Sequence, residues 1–342
     1  MTRIENRPLK FAVMGTGFWS SLQIPAWYEA GNVRCTAVWN RTYEKAVNTA
    51  QKYGIDRVYK NPEILLQNEK LDFVDIITEV PAHEELVLLC AKYKVPVICQ
   101  KPMSDSFKAC ERMVGACRDA GIPFFIHENW KYRAPFIQLK EILARNPIGK
   151  IRRVEFNEVN GGRPAYNIQP FLKQLPHLII TDMGSHVFDI ARTLFGEPKS
   201  LYCSAIRTYD ELAGENFMTA VLNYKDMICH ITLGERMDCY LFLDGESGSL
   251  TMHNDYRIVV DAEGDVTTHV APKVREYPWA EHVKQYLPPD HIDNIVACNR
   301  SFLRAFSGEI ESDNTGEENL KTMKLVYSAC ESVEKNQVVI LS

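Results

Sequence analysis

Asp182 and His186 are the two residues whose types and spacing most directly suggest acid–base chemistry. They are four residues apart in a segment, 182–194, whose apolar pattern predicts a helix closed by Gly196. Residues at that spacing share one helix face, so the carboxylate can hold one imidazole nitrogen and leave the other as a general base. Alternatively, Asp182 lies near the start of the helix and only complements the helix dipole. The residues alone leave both interpretations open.

Lys101 is a third residue with chemical potential. It follows an apolar run over 95–99 that predicts a buried strand, within the sequence Gln100-Lys101-Pro102. An ammonium group at the carboxyl end of such a strand can donate a hydrogen bond to a substrate hydroxyl and stabilise an alkoxide. A surface lysine before a turn is the alternative interpretation.

Further polar residues could line a substrate pocket, and they are Glu128, Arg163, Tyr166 and His177. We predict that they lie in loops or in segments that join domains, where binding residues and ordinary solvated residues both occur. Asn129 follows Glu128 directly, at the end of a strand predicted over 123–127.

A metal site and a serine nucleophile are two other chemistries that these residue types could support. His177, Asp182, His186 and Asp189 carry groups that can ligate zinc, but the chain contains no His-Glu-x-x-His sequence. It also contains no Gly-x-Ser-x-Gly sequence, which typically presents a nucleophilic serine. We therefore predict no metal and no nucleophilic serine or cysteine.

The element that would organise these groups is the N-terminal segment Gly15-Thr16-Gly17, between a strand predicted over 11–14 and a helix predicted over 18–30. Strand, glycine turn and helix in this order form a phosphate-binding start, in which helix N–H groups face the negative charge. Ser20 stands where the third glycine of the pattern is usual, and serine is small enough for close packing. A tight turn without a ligand is the alternative.

The end of the second predicted strand, over 33–40, is where such a fold meets the adenosine ribose. A carboxylate there would bind the ribose 2′-hydroxyl, whereas an arginine can accept a 2′-phosphate. This chain has Asn40 and Arg41. Arg41 favours NADP, but a guanidinium can also stack on adenine in an NAD enzyme, so the choice between NAD and NADP stays open.

The order of elements predicts two domains in an α/β protein. Strands and helices alternate up to residue 128, which is typical of a doubly wound parallel sheet of the Rossmann type. Runs of strands then predict a C-terminal α+β domain over 129–342 with a large, mainly antiparallel sheet. A helix predicted over 317–334 could pack back on the first domain, and 262–290, rich in proline and charge, is predicted to be loop.

Composition limits the partners. The chain has 342 residues and a net charge of -5 without a basic block, which disfavours nucleic acid and anionic membranes. The first ten residues are polar, and no apolar run is long enough for a bilayer, so we expect no secretory signal and no membrane span. Ten cysteines without a Cys-x-x-Cys pair suggest free thiols and a cytoplasmic protein.

Taken together, four motifs resemble those of the Gfo/Idh/MocA family, which includes glucose–fructose oxidoreductase and inositol dehydrogenase. Gly15-Thr16-Gly17 is similar to the family's nucleotide loop, and Pro81-Ala82-His83 is similar to its Pro-x-His sequence. Gln100-Lys101-Pro102 keeps the lysine and proline of the family's Glu-Lys-Pro signature but loses the acid. Asp182-x-Gly184-x-His186-x-x-Asp189 resembles the helix that supplies the family's catalytic Asp and His.

This resemblance implies reversible hydride transfer between NAD or NADP and a carbohydrate-like substrate, in a homodimer or homotetramer. It implies that His186 takes the hydroxyl proton, that Asp182 orients His186, and that Lys101 positions the hydroxyl. Gln100 in place of the acid would leave the ammonium group of Lys101 less compensated. The implied cofactor-binding residues are Gly15, Thr16, Gly17, Phe18, Trp19, Asn40, Arg41, Thr78, His83, Gln100 and Lys101. The implied substrate-binding residues are Lys101, Glu128, Asn129, Arg163, Tyr166, His177, Asp182 and His186.

Within the family, the run of His127, Glu128 and Asn129 looks most like that of sugar dehydrogenases that oxidise an aldose at its anomeric carbon. Two other activities of the same fold stay open as alternatives. One is a glycosidase that uses bound NAD without net redox change, and the other is a non-catalytic regulator that senses a nucleotide. Retention of both Lys101 and His186 favours an enzyme over a regulator.

Overall fold

The computed structural model describes residues 7–159, 162–235, 238, 240–284, 287 and 289–341. Parts of three predictions lie outside these ranges. They are the first six of the ten residues in which we expect no secretory signal, the last residue of the strand predicted over 151–160, and three positions of the loop predicted over 262–290.

Helices and strands alternate from the start of the chain to residue 127. In chain order they are β1 (Leu9–Met14), α1 (Ser20–Ala30), β2 (Val33–Trp39), α2 (Tyr43–Tyr53), β3 (Arg57–Tyr59), α3 (Pro62–Asn68), β4 (Phe73–Ile76), α4 (His83–Lys92), β5 (Val97–Gln100), α5 (Phe107–Ala120) and β6 (Phe124–His127).

Strands predominate between β6 and residue 270. These elements are α6 (Ala134–Leu143), β7 (Ile151–Val159), α7 (Gly162–Ile168), α8 (Leu178–Phe195), β8 (Ser200–Ile206), β9 (Phe217–Asn223), β10 (Ile228–Gly234), β11 (Tyr240–Gly245), β12 (Gly248–Met252), β13 (Arg257–Ala262) and β14 (Asp265–Val270). The chain continues with α9 (Pro289–Phe306), α10 (Gly316–Lys335) and β15 (Val339–Ile340). Short 3-10 turns occur at Val80–Ala82, Trp130–Tyr132, Pro170–Gln174 and Pro278–Val283.

The first sheet has six parallel strands in the order β3-β2-β1-β4-β5-β6. This is the predicted doubly wound Rossmann sheet, and the prediction is confirmed. The strand order reverses between β1 and β4, which is where such sheets bind their ligands at the carboxyl ends of the strands. Neither β3 nor α3 was predicted from the sequence, because three and seven residues are too short to show a period.

The second sheet has nine strands in the order β14-β13-β12-β11-β7-β10-β9-β8-β15. Only the pairing of β7 with β10 is parallel among the described pairs, so the predicted mainly antiparallel sheet is confirmed. The loop predicted over 262–290 was wrong in part, since β14 and a 3-10 turn lie within it. β14 is a polar edge strand with five of its six residues exposed, and such a strand lacks the apolar alternation on which the prediction depends.

Contacts divide the chain into two compact units. The first comprises Met1–Asn129, Glu276–His282 and His291–Met323, and the second comprises Trp130–Arg275, Val283–Asp290 and Lys324–Ser342. From the sequence we expected one boundary, after residue 128. The difference arises largely from α9, whose Phe302 stacks on Phe125 with ring centroids 5.3 Å apart. Phe306 likewise stacks on Phe73 of β4 at 5.3 Å. Residues 316–323 of α10 also cluster with the first unit.

Asp75 is a fully buried carboxyl in the core of the first unit, in the middle of β4. Trp27 donates a hydrogen bond from its indole Nε1 to Asp75 Oδ2 at 2.7 Å. Burial nevertheless raises the pKa of Asp75 to about 7, because the charged form is costly in an apolar core. The folded protein therefore binds a proton there that the unfolded chain releases near pH 4.

We predict that Asp75→Asn raises the free energy of unfolding relative to the parent protein by an amount that grows as the pH rises from about 4 to about 7. In that window the folded state holds more protons at Asp75 than the unfolded state, so the parent loses stability with rising pH and the neutral amide does not. The measurement is the denaturant midpoint of both proteins across this range.

Asp72→Asn is the matched control for this prediction. Burial tends to raise the pKa of Asp72, but hydrogen bonds from Arg7 and from the Lys10 N–H bring it below its ordinary value. This carboxylate stabilises the fold above about pH 4 and loses that effect only as the pH falls further, so its variant should be less stable by a constant amount above about pH 5. A constant difference for Asp75→Asn as well would contradict our account of its burial.

No helix among the described residues is long and apolar enough to cross a membrane.

Candidate active site

Gly15 fixes the turn between β1 and α1. Its φ is +108°, and an added Cβ would lie 2.6 Å from the backbone carbonyl of Ile77 and 2.7 Å from the backbone nitrogen of Thr78. Only glycine fits such a contact, so the turn lies directly against the backbone that follows β4. An added Cβ at Gly17, by contrast, would have no described atom within 4 Å. Gly17 is exposed and leaves open space in front of the start of α1.

Polar groups around this turn are available for a ligand. The side-chain oxygens of Thr16 and Thr78 are buried and have no hydrogen-bond partner among the described residues. α1 begins without a side-chain cap and without an acidic residue in its first turn, which suits an anion. The Ser20 hydroxyl donates to the Gly17 carbonyl at 2.7 Å, so serine in the third glycine position fits the turn. These features fit the pyrophosphate of a dinucleotide.

Phe18 and Trp19, both half-buried, contact each other edge to face at the same helix start.

Asn40 and Arg41 follow β2 beside the same turn. The Asn40 Oδ1 accepts a hydrogen bond from the Thr16 backbone N–H at 3.0 Å, and its Nδ2 donates to the Thr42 carbonyl at 3.0 Å. The side-chain amide of Asn40 thus connects the turn at Thr16 to the segment that follows β2. The Arg41 side chain is 85% exposed, with its guanidinium 3.7 Å from the Glu79 carboxylate. Such a surface ion pair is weak, so Arg41 is accessible to a charged ligand.

His83, which the sequence suggested as a cofactor-binding residue, is fully buried. Its Nε2 lies 3.1 Å from the Thr78 carbonyl, and its Nδ1 lies 3.2 Å from the carbonyls of Pro102 and Met103. Burial lowers the pKa of His83. His83 therefore ties the loop after β4 to the loop after β5, and any effect on a cofactor acts through these loops.

Lys101 is half-buried and follows Gln100, the last residue of β5. Gln100 is in register with His127 at the end of β6, and β5 also pairs with β4. The His83 ring lies between the carbonyls of Pro102 and Met103, which follow Lys101, and the carbonyl of Thr78. Lys101 thus lies at the carboxyl edge of the first sheet, as the sequence predicted.

Glu128 and Asn129 directly follow β6 in the first unit. Glu128 is fully buried, and its carbonyl accepts a hydrogen bond from Asn314 Nδ2 at 2.8 Å, whereas Asn129 is half-buried. The neighbouring His127 lies with Nε2 2.8 Å from Asn299 Oδ1. Burial lowers the pKa of His127 to about 4, so this histidine is neutral and donates to the amide.

Asp182 and His186 lie in the second unit on α8, which begins at Leu178 and not at residue 182 as predicted. Asp182 is therefore in the second turn, and the interpretation that it merely complements the dipole at the helix start was wrong. The helix starts earlier because its first turn contains Leu178, Ile179 and Ile180, apolar residues that are all buried. Asp182 is half-buried and His186 is buried.

Two residues beside this part of α8, Trp130 and Lys131, were not predicted from the sequence to belong to the site. The indole of Trp130 stacks on the imidazole of His186 with ring centroids 4.4 Å apart and planes within 1° of parallel. The ammonium of Lys131 lies 3.2 Å from the Asp189 carboxylate, and both side chains are buried. No periodic pattern marks Trp130 or Lys131, because they form a 3-10 turn.

Arg163 and Tyr166 lie on α7, so the prediction that they belong to loops was wrong. Seven residues are too few for a helical period to be visible in the sequence. Arg163 is exposed, with its guanidinium 3.0 Å from Glu211 and 4.0 Å above the Tyr209 ring. Tyr166 is buried, and its hydroxyl has no hydrogen-bond partner among the described residues.

The charges of two carboxylates act on the hydroxyl of Tyr166. Burial raises the pKa of Tyr166, and the negative charges of Glu235 and Asp182 add to the increase. The phenol is therefore neutral and available as a donor. The negative charge of Asp182 on α8 thus acts on a side chain of α7.

His177 lies directly before α8 in a left-handed conformation with φ of +50°. Its Nδ1 is 3.3 Å from Glu215 and its Nε2 is 3.1 Å from Glu334. These carboxylates, Glu215 foremost, raise the pKa of His177. Both ring nitrogens are thus engaged within the second unit.

No group of three or more His, Cys, Asp or Glu side chains that could hold a metal ion occurs in the described part of the chain.

Comparison with known proteins shows the family to which the chain belongs. A family model described as an oxidoreductase family with an NAD-binding Rossmann fold matches residues 9–128, and one described as the GFO/IDH/MocA C-terminal domain matches residues 136–251. The chain is thus an enzyme, an oxidoreductase with an NAD-binding Rossmann domain. It belongs to the Gfo/Idh/MocA family, which confirms the resemblance seen in its motifs.

Similar proteins include sugar and polyol dehydrogenases. D-apiose dehydrogenase of Paraburkholderia graminis is 30% identical, over 97% of this chain and 89% of the relative. Myo-inositol 2-dehydrogenase of Thermotoga maritima is also 30% identical, over 85% of this chain and 86% of the relative. Among solved structures, an oxidoreductase from Agrobacterium radiobacter in complex with NAD+, L-tartaric acid and magnesium is 28% identical. Its TM-score is 0.90, over 97% of this chain and 98% of that chain.

Proposed function

We propose that the protein is an NAD(P)-dependent dehydrogenase that oxidises a hydroxyl group of a sugar or polyol. The observation that carries this proposal is His186, a buried imidazole that lies one helical turn from Asp182 and is stacked on Trp130. An oxidation by hydride transfer needs a base for the hydroxyl proton, and a positioned histidine suits that step near neutral pH. The relatives named as apiose and inositol dehydrogenases support a carbohydrate substrate.

The residues of the first unit would hold the cofactor. The turn Gly15-Thr16-Gly17 and the start of α1 would bind the pyrophosphate, with Thr78 on the facing loop and Arg41 beside the adenosine ribose. NAD or NADP held there would supply the acceptor for the hydride that leaves the carbinol carbon of the substrate. Phe18, Trp19, Asn40 and Gln100 would line the same edge of the sheet, while His83 would hold its loops in place.

Three side chains would carry out the proton chemistry. His186 would take the proton of the reacting hydroxyl, so that the carbon–oxygen bond becomes a carbonyl as the hydride leaves the carbon. Asp182 would orient the imidazole from one turn earlier on α8. Lys101 would donate a hydrogen bond to the same oxygen and stabilise its developing negative charge.

Other polar residues would recognise the remainder of the substrate. We assign this task first to Tyr166, because its buried hydroxyl has no partner among the described residues. Glu128 and Asn129 would contribute from the end of β6. Arg163 and His177 would have to give up their carboxylate partners to bind a substrate, so we assign them a supporting role.

The choice between NAD and NADP is tested at Arg41. We predict that Arg41→Ala lowers kcat/KM with NADP by at least about ten-fold more than with NAD, because an exposed guanidinium pairs with a 2′-phosphate but not with a 2′-hydroxyl. Initial rates with each cofactor measure this difference. An equal decrease for both cofactors would instead indicate that Arg41 stacks on the adenine.

We also propose that the protein is a homodimer or homotetramer. One face of the second sheet is buried. The other face carries residues that are not buried, such as Val221 and Thr219 of β9. Ile206 and Ile228 on this face are 60% and 45% exposed, which suits association with a second copy. Light scattering should give the mass of two or four chains, and a single-chain mass would contradict this proposal.

We place the protein in the cytoplasm. Nine cysteines among the described residues are free and buried, as expected in a reducing compartment. Fractionation of the source cells tests this: recovery in an oxidising compartment would contradict it.

A further inference from the structure

Trp130 and His186 form a face-to-face aromatic pair inside the second unit. Their ring centroids are 4.4 Å apart, their planes are 1° from parallel, and they are 7% and 5% exposed. The terminal torsion of a histidine is broad, so without a neighbour the imidazole plane is weakly defined. The flat indole restricts the imidazole to orientations parallel to it and excludes water from one of its faces.

The turn that carries Trp130 is held to α8 at a second point. The ammonium of Lys131 lies 3.2 Å from the carboxylate of Asp189, and both side chains are almost fully buried. Asp189 is three residues after His186, so two neighbouring residues of the turn contact the same face of α8. Separating this ion pair would leave an uncompensated charge in the protein interior, which is costly. The ion pair therefore keeps the turn of Trp130 and Lys131 against α8.

Arg133 anchors the other end of this segment. Its Nε donates to Asp290 in the first turn of α9 at 2.7 Å, and its guanidinium lies 3.6 Å from Glu158 at the end of β7. The guanidinium carbon also lies 5.2 Å from the centroid of the Trp130 ring, within cation–π range. The segment that carries the indole is thus held by charged contacts that do not involve His186.

We propose that Trp130 is a positioning residue for the general base, an inference that rests on the proposed function of His186. The indole holds the imidazole plane in the orientation in which it receives the substrate proton. The π face of the indole also attracts the imidazolium that forms when the proton is taken. Lys131 and Arg133 keep the indole in place, and none of the three residues needs to contact the substrate.

Two substitutions separate stacking from packing. Trp130→Phe keeps an aromatic face, whereas Trp130→Met fills much of the same volume without a ring. We expect Trp130→Met to lower kcat by at least about ten-fold with KM changed less than about three-fold, because misorientation of a reacting group affects the chemical step. Trp130→Phe should recover most of the lost kcat. If the Met variant does not fold, Trp130→Leu replaces it.

The double variant Trp130→Met, His186→Asn tests whether the effect passes through His186. Adding Trp130→Met to His186→Asn should lower kcat no further, since the indole then has no base to position. Phe156→Leu, at a buried ring of β7 without a polar role, is the packing control and should reduce thermal stability with little change in kcat.

Several outcomes would overturn the proposal. An unchanged kcat in Trp130→Met, an equal loss in the His186→Asn background, or the same loss of kcat in Phe156→Leu would show that Trp130 has only a structural role. Failure of the proposed function is distinguishable, because His186→Asn alone would then keep nearly the parental kcat.

Discussion

His186→Asn lowers kcat by about two orders of magnitude or more in our account of the reaction, because general-base catalysis contributes on that scale. Asparagine keeps a polar group of similar reach but cannot accept the hydroxyl proton. The expected loss is in kcat, while cofactor binding by the first unit should persist, since His186 belongs to α8 in the second unit. Steady-state rates and a fluorescence titration with cofactor measure the two properties separately.

His269→Asn is the matched control for this substitution. His269 lies on the edge strand β14 of the same unit, outside the residues assigned to the reaction. It should retain the parental kcat. A His186→Asn enzyme within about two-fold of the parental kcat would remove His186 from the mechanism.

Lys101→Met should lower kcat/KM by a similarly large factor, of about two to three orders of magnitude. Methionine keeps the length and much of the volume of the lysine stem but removes the ammonium group that would stabilise the alkoxide. Lys101 follows β5 at the carboxyl edge of the sheet, and His83 holds the backbone around it to the loop after β4. The cost of its loss should therefore be chemical, with little change in the thermal melting temperature.

Lys108→Met provides the comparison, because Lys108 is an exposed lysine in the first turn of α5 of the same unit. Its variant should be as active as the parent. Equal effects of the two substitutions, or a Lys101→Met enzyme with parental kcat/KM, would show that no specific donor is needed at residue 101.

Most of the fold was predictable because it depends on local patterns. The buried strands β1, β4, β5 and β6 are short apolar runs followed by turns or helices. This alternation of strands and helices predicted a parallel sheet. Gly54 and Gly121 end α2 and α5 in left-handed conformations, as expected of glycine after a helix. The start of α8 was less predictable. Its first turn contains consecutive buried residues, so the helix begins before the alternation of polar and apolar residues that predicted it.

The residues of the site were predictable where their backbone positions depend on sequence neighbours. Gly15 and Lys101 lie next to strands whose apolar runs are visible in the sequence. The partners of the side chains were not predictable, because they come from distant positions. Trp130 reaches His186 across 56 residues (186 minus 130), and His177 meets Glu334 across an even longer separation. No local period encodes such pairs.

Reduction of NAD or NADP by the purified protein, followed as absorbance of the reduced nicotinamide, tests the central claim most directly. The panel should contain D-apiose, myo-inositol, common aldoses, sugar acids and a set of glycosides, with His186→Asn in parallel. We predict that one sugar or polyol produces reduced cofactor with the parent and at least about a hundred-fold less with the variant. Cleavage of a glycoside with no net reduced cofactor, or cofactor binding without turnover of any compound, would contradict the assignment as a sugar or polyol dehydrogenase.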